Sequence, residues 1–264
     1  MSRQPSGGPR GAKELAWKAF GWAKRHEPEA LRTVYAARRA AFVGRLKLLA
    51  AWYGAEVEID VAPDVRLGPG IAITIWPGSR NVVRIGPGSR IDARVLFVLN
   101  NGRILFGDRI EIRRDTVFHV WGGTFELAGE NIMSWNNVVH CGSSIRVARL
   151  TSFAEQVTLV DSTHFFTEPD VFFYHNTRTA PVEIGYNSFI GAKATIGRGA
   201  SVGDHCIIAG SSVVTGTIPS GHLASGVPAK IVRALELPWG SAPTIAAQAA
   251  PATARPKRGR ATSG

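Results

Sequence analysis

Histidine is the side chain whose ordinary pKa places proton uptake and release near neutrality. Three of the seven in this sequence form a series, His119, His140 and His164, with twenty and twenty-three residues between them. An imidazole so placed serves as a general base toward a weakly acidic O–H or as a metal ligand. Asp161 precedes His164 by three residues, where a carboxylate can orient the imidazole and stabilise its protonated form, or can simply form a turn at a strand end. Cys141 and Cys206 have no paired spacing, so neither a disulfide framework nor a structural zinc site is expected and both read as buried thiols.

The elements that position these residues follow from a period. Ile184-Gly185, Ile190-Gly191, Ile196-Gly197, Val202-Gly203, Ile208-Ala209 and Val214-Thr215 each open a hexad, with small residues four places on. A fixed aliphatic every six residues means short strands turning the same way into one narrow core. Carried backwards, the register gives the triplets Ile85, Ile91, Phe97; Phe106, Ile112, Phe118; Leu127, Met133, Val139; and Val147, Phe153, Leu159. Steps within a triplet are six. Steps between triplets are eight or nine, so extra residues such as Asn100-Asn101-Gly102 and Trp121-Gly122-Gly123 fall at one recurring corner. Three hexads make one coil of a triangular prism, and Leu67 and Ile73 begin an earlier, less regular coil. The expectation is an all-β parallel β-helix of about seven coils over residues 57–237, roughly 30 Å tall at ordinary strand spacing. From Leu159 to Ile184 the step lengthens to twenty-five, so a loop over residues 164–182 leaves the prism at that same corner. It carries Phe165, Phe166, Phe172, Phe173, Tyr174 and His175, which reads as a loop with buried aromatics, against another subunit by expectation.

The flanks differ in kind. Residues 12–55 read as a basic amphipathic helical segment, with Leu31, Tyr35, Phe42, Leu46, Leu49 and Tyr53 at helical spacing and Gly54 as its stop. Residues 1–11 and 238–264 are rich in small residues and Pro, and read as disordered. Residues 1–55 hold eleven Lys or Arg against three Glu, while residues 56–240 hold sixteen against seventeen acids. The overall charge of +11 is thus terminal rather than spread along a folded groove, which argues against nucleic acid as a partner and leaves peripheral membrane contact through residues 12–55 open. With no apolar run of membrane-spanning length, the chain is expected to be cytoplasmic, with the membrane surface as the alternative.

The hexads, the segment Val157-Thr158-Leu159-Val160-Asp161-Ser162-Thr163-His164 with its loop, and the closing Gly226-Val227-Pro228-Ala229-Lys230 resemble the hexapeptide-repeat acyltransferases, especially the branch that acetylates sugar hydroxyls. The resemblance covers about residues 65–235. It implies a left-handed coil, a homotrimer, and acetyl-CoA as acyl donor lying between two prisms.

In that chemistry a hydroxyl attacks a thioester carbonyl, which asks for a base near pH 7 and a donor for the tetrahedral oxyanion. His164 matches the family's catalytic histidine, with Asp161 as its partner. Asn136 matches an acceptor-binding asparagine, with Asn137 the one-residue alternative, and Trp135 and His140 join it on the acceptor side. Ala192, Gly210 and Thr215 match positions along the pantetheine arm, and Lys230 and Arg233 match a basic pair near the nucleotide phosphates. Gly216 departs from the family, which often carries a Lys there. No metal is expected, since the close His pair of the gamma-type carbonic anhydrases is absent. A sugar nucleotidyltransferase would need a nucleotide-binding domain where residues 1–56 are short and helical. The resemblance therefore implies O-acetylation of a sugar in cell-surface polysaccharide or glycolipid synthesis, with serine or antibiotic acetylation and a non-catalytic scaffold as alternatives.

Overall fold

The computed structural model describes residues 28–169 and 176–237. Among the described residues, twenty-five short strands pair into three parallel faces and a small hairpin, and one more, Ala229–Ala234, closes the far end antiparallel. Face A begins with Glu56–Val61, face B with Arg66–Leu67 and face C with Ala72–Ile75, and the chain visits them in that order. Seven complete coils result, and Thr217–Ile218 and His222–Gly226 begin an eighth. The first coil starts on face A with Glu56–Val61, one strand earlier than Leu67.

Each face carries an in-register ladder with one residue from every coil, and strands of faces A and C bury a second residue in several coils. Face A stacks Val61, Ile85, Phe106, Leu127, Val147, Ile184, Val202 and Ile218 in register. Face B stacks Leu67, Ile91, Ile112, Met133, Phe153, Ile190, Ile208 and Ala224. Face C stacks Ile73, Phe97, Phe118, Val139, Leu159, Ile196 and Val214. The triplets of the sequence are therefore the rungs of the structure. A residue that faces the core in one coil must face it in the next, because parallel pairing without a shift preserves the two-residue alternation.

The corners have their own chemistry. The turn from face B to face C puts one residue per coil into the left-handed region: Gly70, Arg94, Asp115, Asn136, Gln156, Lys193 and Ser211. Buried polar side chains close the turns: the Asn137 amide donates to Ser134 O at 2.7 Å and accepts from Val157 N–H at 2.7 Å. The additional residues all lie between faces C and A, where the sequence places them.

The helix Glu29–Tyr53 covers the open first coil and ends at Gly54 in the left-handed conformation, where Ala55 N–H returns to Ala50 O at 2.8 Å. It buries Phe42, Leu46 and Ala50, and Phe42 meets Phe97 edge-on at 6.0 Å. Leu31 and Tyr53, expected on the buried stripe, are exposed. A helix of 25 residues is about 37 Å long at 1.5 Å per residue. Residues 12–27, the segments 1–11 and 238–264, and the loop aromatics Phe172, Phe173, Tyr174 and His175 lie outside the described residues. No helix among the described residues is long and apolar enough to cross a membrane.

Candidate active site

On face C alternate side chains point outward, and this stacks Val98, His119, His140 and Val160 into one column. The two imidazoles meet with their Nδ1 atoms 3.3 Å apart and their rings at 78°. A contact between two Nδ1 atoms needs one bare nitrogen, so the pair holds at most one proton between them there. Burial pushes both pKa values down; the His140 charge opposes protonation of His119 further, while Asp161 pulls His140 partly back.

Directly after this column the chain leaves the prism. Asp161 is fully buried at the exit, where Oδ1 accepts Gly142 N–H at 2.8 Å and Oδ2 accepts Ser143 N–H at 2.7 Å. Its own backbone ties the exit above and below, with N–H to His140 O and C=O to Ala180 N–H. Both carboxylate oxygens thus hold the corner of the preceding coil. Burial, joined by the same carboxylate, keeps the Cys141 thiol protonated by pushing its pKa well up. Burial raises the pKa of Cys206 as well, in keeping with two unreactive thiols. Gly142 at this corner admits the Trp121 indole onto its backbone, because a Cβ there would stand 2.5 Å from the ring.

The excursion itself is a hairpin rather than a plain loop. Ser162–His164 pairs antiparallel with Thr177–Thr179, His164 opposite Thr177. The His164 imidazole is exposed, with Nδ1 3.4 Å from Thr177 Oγ1. Thr177 carries no signal in the sequence, since the hairpin interrupts the only period there is. Phe165 packs under the Arg178 guanidinium, 4.1 Å from its ring centre. Phe166, expected among buried loop aromatics, is 74% exposed on the single chain. Thr215 lies on the same edge two coils further along, beside Gly197.

The remaining candidates occupy the edge between faces B and C. Trp135 is 41% exposed, with the Arg113 guanidinium 5.7 Å from its ring centre. Asn136 takes the left-handed turn position, exposed, while Asn137 is buried in the corner. Two and three coils below, Ala192 and Gly210 sit at equivalent places on this edge, and Ser211 N–H donates to Ala192 O at 2.8 Å. The turn after Gly226 closes beneath them, with Gly226 N–H on Ser212 Oγ. Lys230 pairs opposite Ser225 and Arg233 opposite Leu223, with the irregularity between Leu223 and Ala224 placing both on the side away from buried Ala224. Spacing by three would otherwise have set them on opposite sides of the strand.

One chain therefore divides the candidates between two edges. His119, His140, Asp161, His164 and Thr215 gather along the edge between faces C and A, and Trp135, Asn136, Ala192 and Gly210 along that between B and C, while Lys230 and Arg233 lie on the closing strand Ala229–Ala234 against face B. Face C separates them.

Comparison with known proteins bears on what such an arrangement serves. Residues 181–216 match the model of the hexapeptide repeat of succinyl-transferase. A probable acetyltransferase of Mycobacterium tuberculosis is 26% identical over 197 residues, 75% of this chain and 59% of that protein's length. A putative lipopolysaccharide biosynthesis O-acetyl transferase of Escherichia coli is 27% identical over 147 residues, 52% of this chain and 74% of the relative. Among solved structures, a polysialic acid O-acetyltransferase shares the fold with a TM-score of 0.53 at 17% identity, covering 74% of this chain and 93% of that one. The chain thus carries the hexapeptide repeat over residues 181–216 within a three-sided parallel coil, and the relatives it resembles are named as acetyltransferases.

Proposed function

We propose that the protein transfers an acetyl group from acetyl-CoA to a sugar hydroxyl, as a homotrimer whose sites lie between copies. The observation that carries this reading is the division of the candidates between two edges. A base on one edge and a donor groove on another come together when the edge between faces C and A of one copy stands against the edge between B and C of the next. His164 then takes the hydroxyl proton as the oxygen attacks the thioester carbonyl. The tetrahedral intermediate collapses with cleavage of the C–S bond, and the departing thiolate takes the proton from the imidazolium. Lys230 and Arg233 receive the nucleotide phosphates, and Ala192 and Gly210 leave backbone free for the pantetheine arm. Asn136, with Trp135 and His140, faces the acceptor.

The E. coli relative's description, lipopolysaccharide biosynthesis, supports a glycan of the cell surface as acceptor. A cytoplasmic enzyme at the membrane surface fits that substrate, and exposed Leu48 and Trp52 beside Arg45 and Lys47 on the helix supply an amphipathic contact. The test is coenzyme A release from acetyl-CoA across a panel of sugars, nucleotide sugars, serine and aminoglycosides. Turnover with carbohydrate acceptors supports the proposal; turnover confined to serine or antibiotics, or none with any acceptor, removes it.

A further inference from the structure

The residues assigned to the donor occupy only one half of the prism. Ala192 and Gly210 lie on the sixth and seventh coils and Lys230 and Arg233 on the strand that closes the eighth, all on one side of the coil from which His164 departs. Four coils remain on the other side. At ordinary strand spacing they measure about 19 Å from Trp76 to the exit at Asp161, several times the width of one pyranose.

That half carries its own column of outward side chains. Along the edge between faces C and A, parallel register sets Trp76, Asn100, Trp121 and Gly142 on successive coils, ending against the exit. Trp76 N–H donates to Leu99 O at 2.9 Å and Gly122 N–H to Asn100 O at 2.7 Å, so backbone bonds hold the column and leave its side chains available. Trp76 is 51% exposed. The Trp121 indole lies on the Gly142 backbone, and Gly142 N–H is held by Asp161, the root of the His164 hairpin. Asn100 Oδ1 accepts from Asn101 Nδ2 at 3.2 Å, while its own Nδ2 donates to no protein group among the described residues.

None of these residues is charged. Indole faces pack on the C–H faces of pyranose rings, and an amide between them bonds sugar hydroxyls as donor and acceptor. Two indoles two coils apart, about 10 Å, suit separate sugars of one chain, whereas a single sugar needs one platform. We propose that this column binds an oligosaccharide acceptor, whose reacting sugar sits at His164 while its remaining sugars lie over Trp121, Asn100 and Trp76. The proposal rests on the acyl-transfer reading and makes the acceptor a glycan chain rather than a free monosaccharide.

The full chain is titrated calorimetrically with malto-, cello- and chito-oligosaccharides of one to six residues, and coenzyme A release from acetyl-CoA is followed with the same compounds. Thermal melts first establish that Trp76→Ala folds; the length series of the parent decides alone should it not. In at least one series affinity is expected to rise about ten-fold or more from one sugar to four. Trp76→Ala should weaken the longer ligands about three- to ten-fold, leave the monosaccharide unchanged, and raise KM for the long acceptor without lowering kcat. Affinity independent of length in every series, or equal in Trp76→Ala and the parent, overturns the proposal, and turnover of monosaccharides alongside leaves acyl transfer standing. Length-dependent, Trp76-sensitive binding without coenzyme A release from any acceptor upholds the column and removes the transferase.

Discussion

Along Val117–Trp121 on face C, Phe118 and Val120 are sealed in the core while their neighbours point out, whereas in the paired segments Ser162–His164 and Thr177–Thr179 no side chain is buried. Both regions are β-strand. The first is fixed by the coil above, the coil below and the core behind it. The second is held by three residue pairs and by the exit at Asp161. His164, the proposed base, is thus carried on a strand pair with no buried side chain among the described residues, rooted in the prism. Such a division suits a residue that must meet a substrate between copies.

The largest effect that separates the two regions is on chemistry alone. His164→Ala is expected to lower kcat/KM for acetyl transfer about 10²–10⁴-fold while the melting temperature and acetyl-CoA affinity stay near those of the parent. Parent-like turnover in that variant removes His164 from the mechanism. In the prism the reverse is expected. Phe118 stacks on Phe97 at 5.3 Å and touches Phe106 and Phe125, so Phe118→Ala should destabilise the fold by about 3–5 kcal/mol in denaturant unfolding. A loss below ~1 kcal/mol would mean the core closes over the cavity.

The hinge between the regions should show both effects. Asp161→Ala leaves the Gly142 and Ser143 amides without their buried acceptor, an expected cost of about 2–4 kcal/mol. Turnover should fall as the root of the hairpin loosens. Asp161→Asn keeps one acceptor oxygen and should fall between. Full stability in Asp161→Ala would refute its turn-holding role.

These differences track what the residues make legible. The step of six survives as an unshifted ladder because parallel pairing carries it from coil to coil, so the rungs from Ile85 to Val214 follow from the sequence. Additions at one corner follow equally, since the triplet spacing isolates them. The pairing of His164 with Thr177 has no such signal: a two-stranded hairpin of polar residues has no buried face to impose a pattern. Asp161 is ambiguous in the sequence for a different reason. A carboxylate three residues before a histidine reads alike whether it faces the imidazole or the amides of the coil above, and only the stacking of coils decides.

The smallest effect concerns the imidazole pair, which belongs to the prism yet borders the exit. Burial lowers the pKa of both His119 and His140 below the ordinary histidine value, so the unfolded chain binds protons at a higher pH than the folded one. Their contribution to stability is accordingly complete above about pH 6.5 and is lost as pH falls through the lowered folded values. Two cations with Nδ1 atoms 3.3 Å apart would oppose each other as well. The column offers its own replacement, since Val98 and Val160 occupy the same position in the coils on either side. His119→Val should therefore preserve the fold at pH 8 and flatten the fall in melting temperature between pH 7 and pH 5. An unchanged slope would show that the acid sensitivity arises elsewhere, whereas a flattened slope with normal turnover would separate the pair's structural cost from the chemistry assigned to His164.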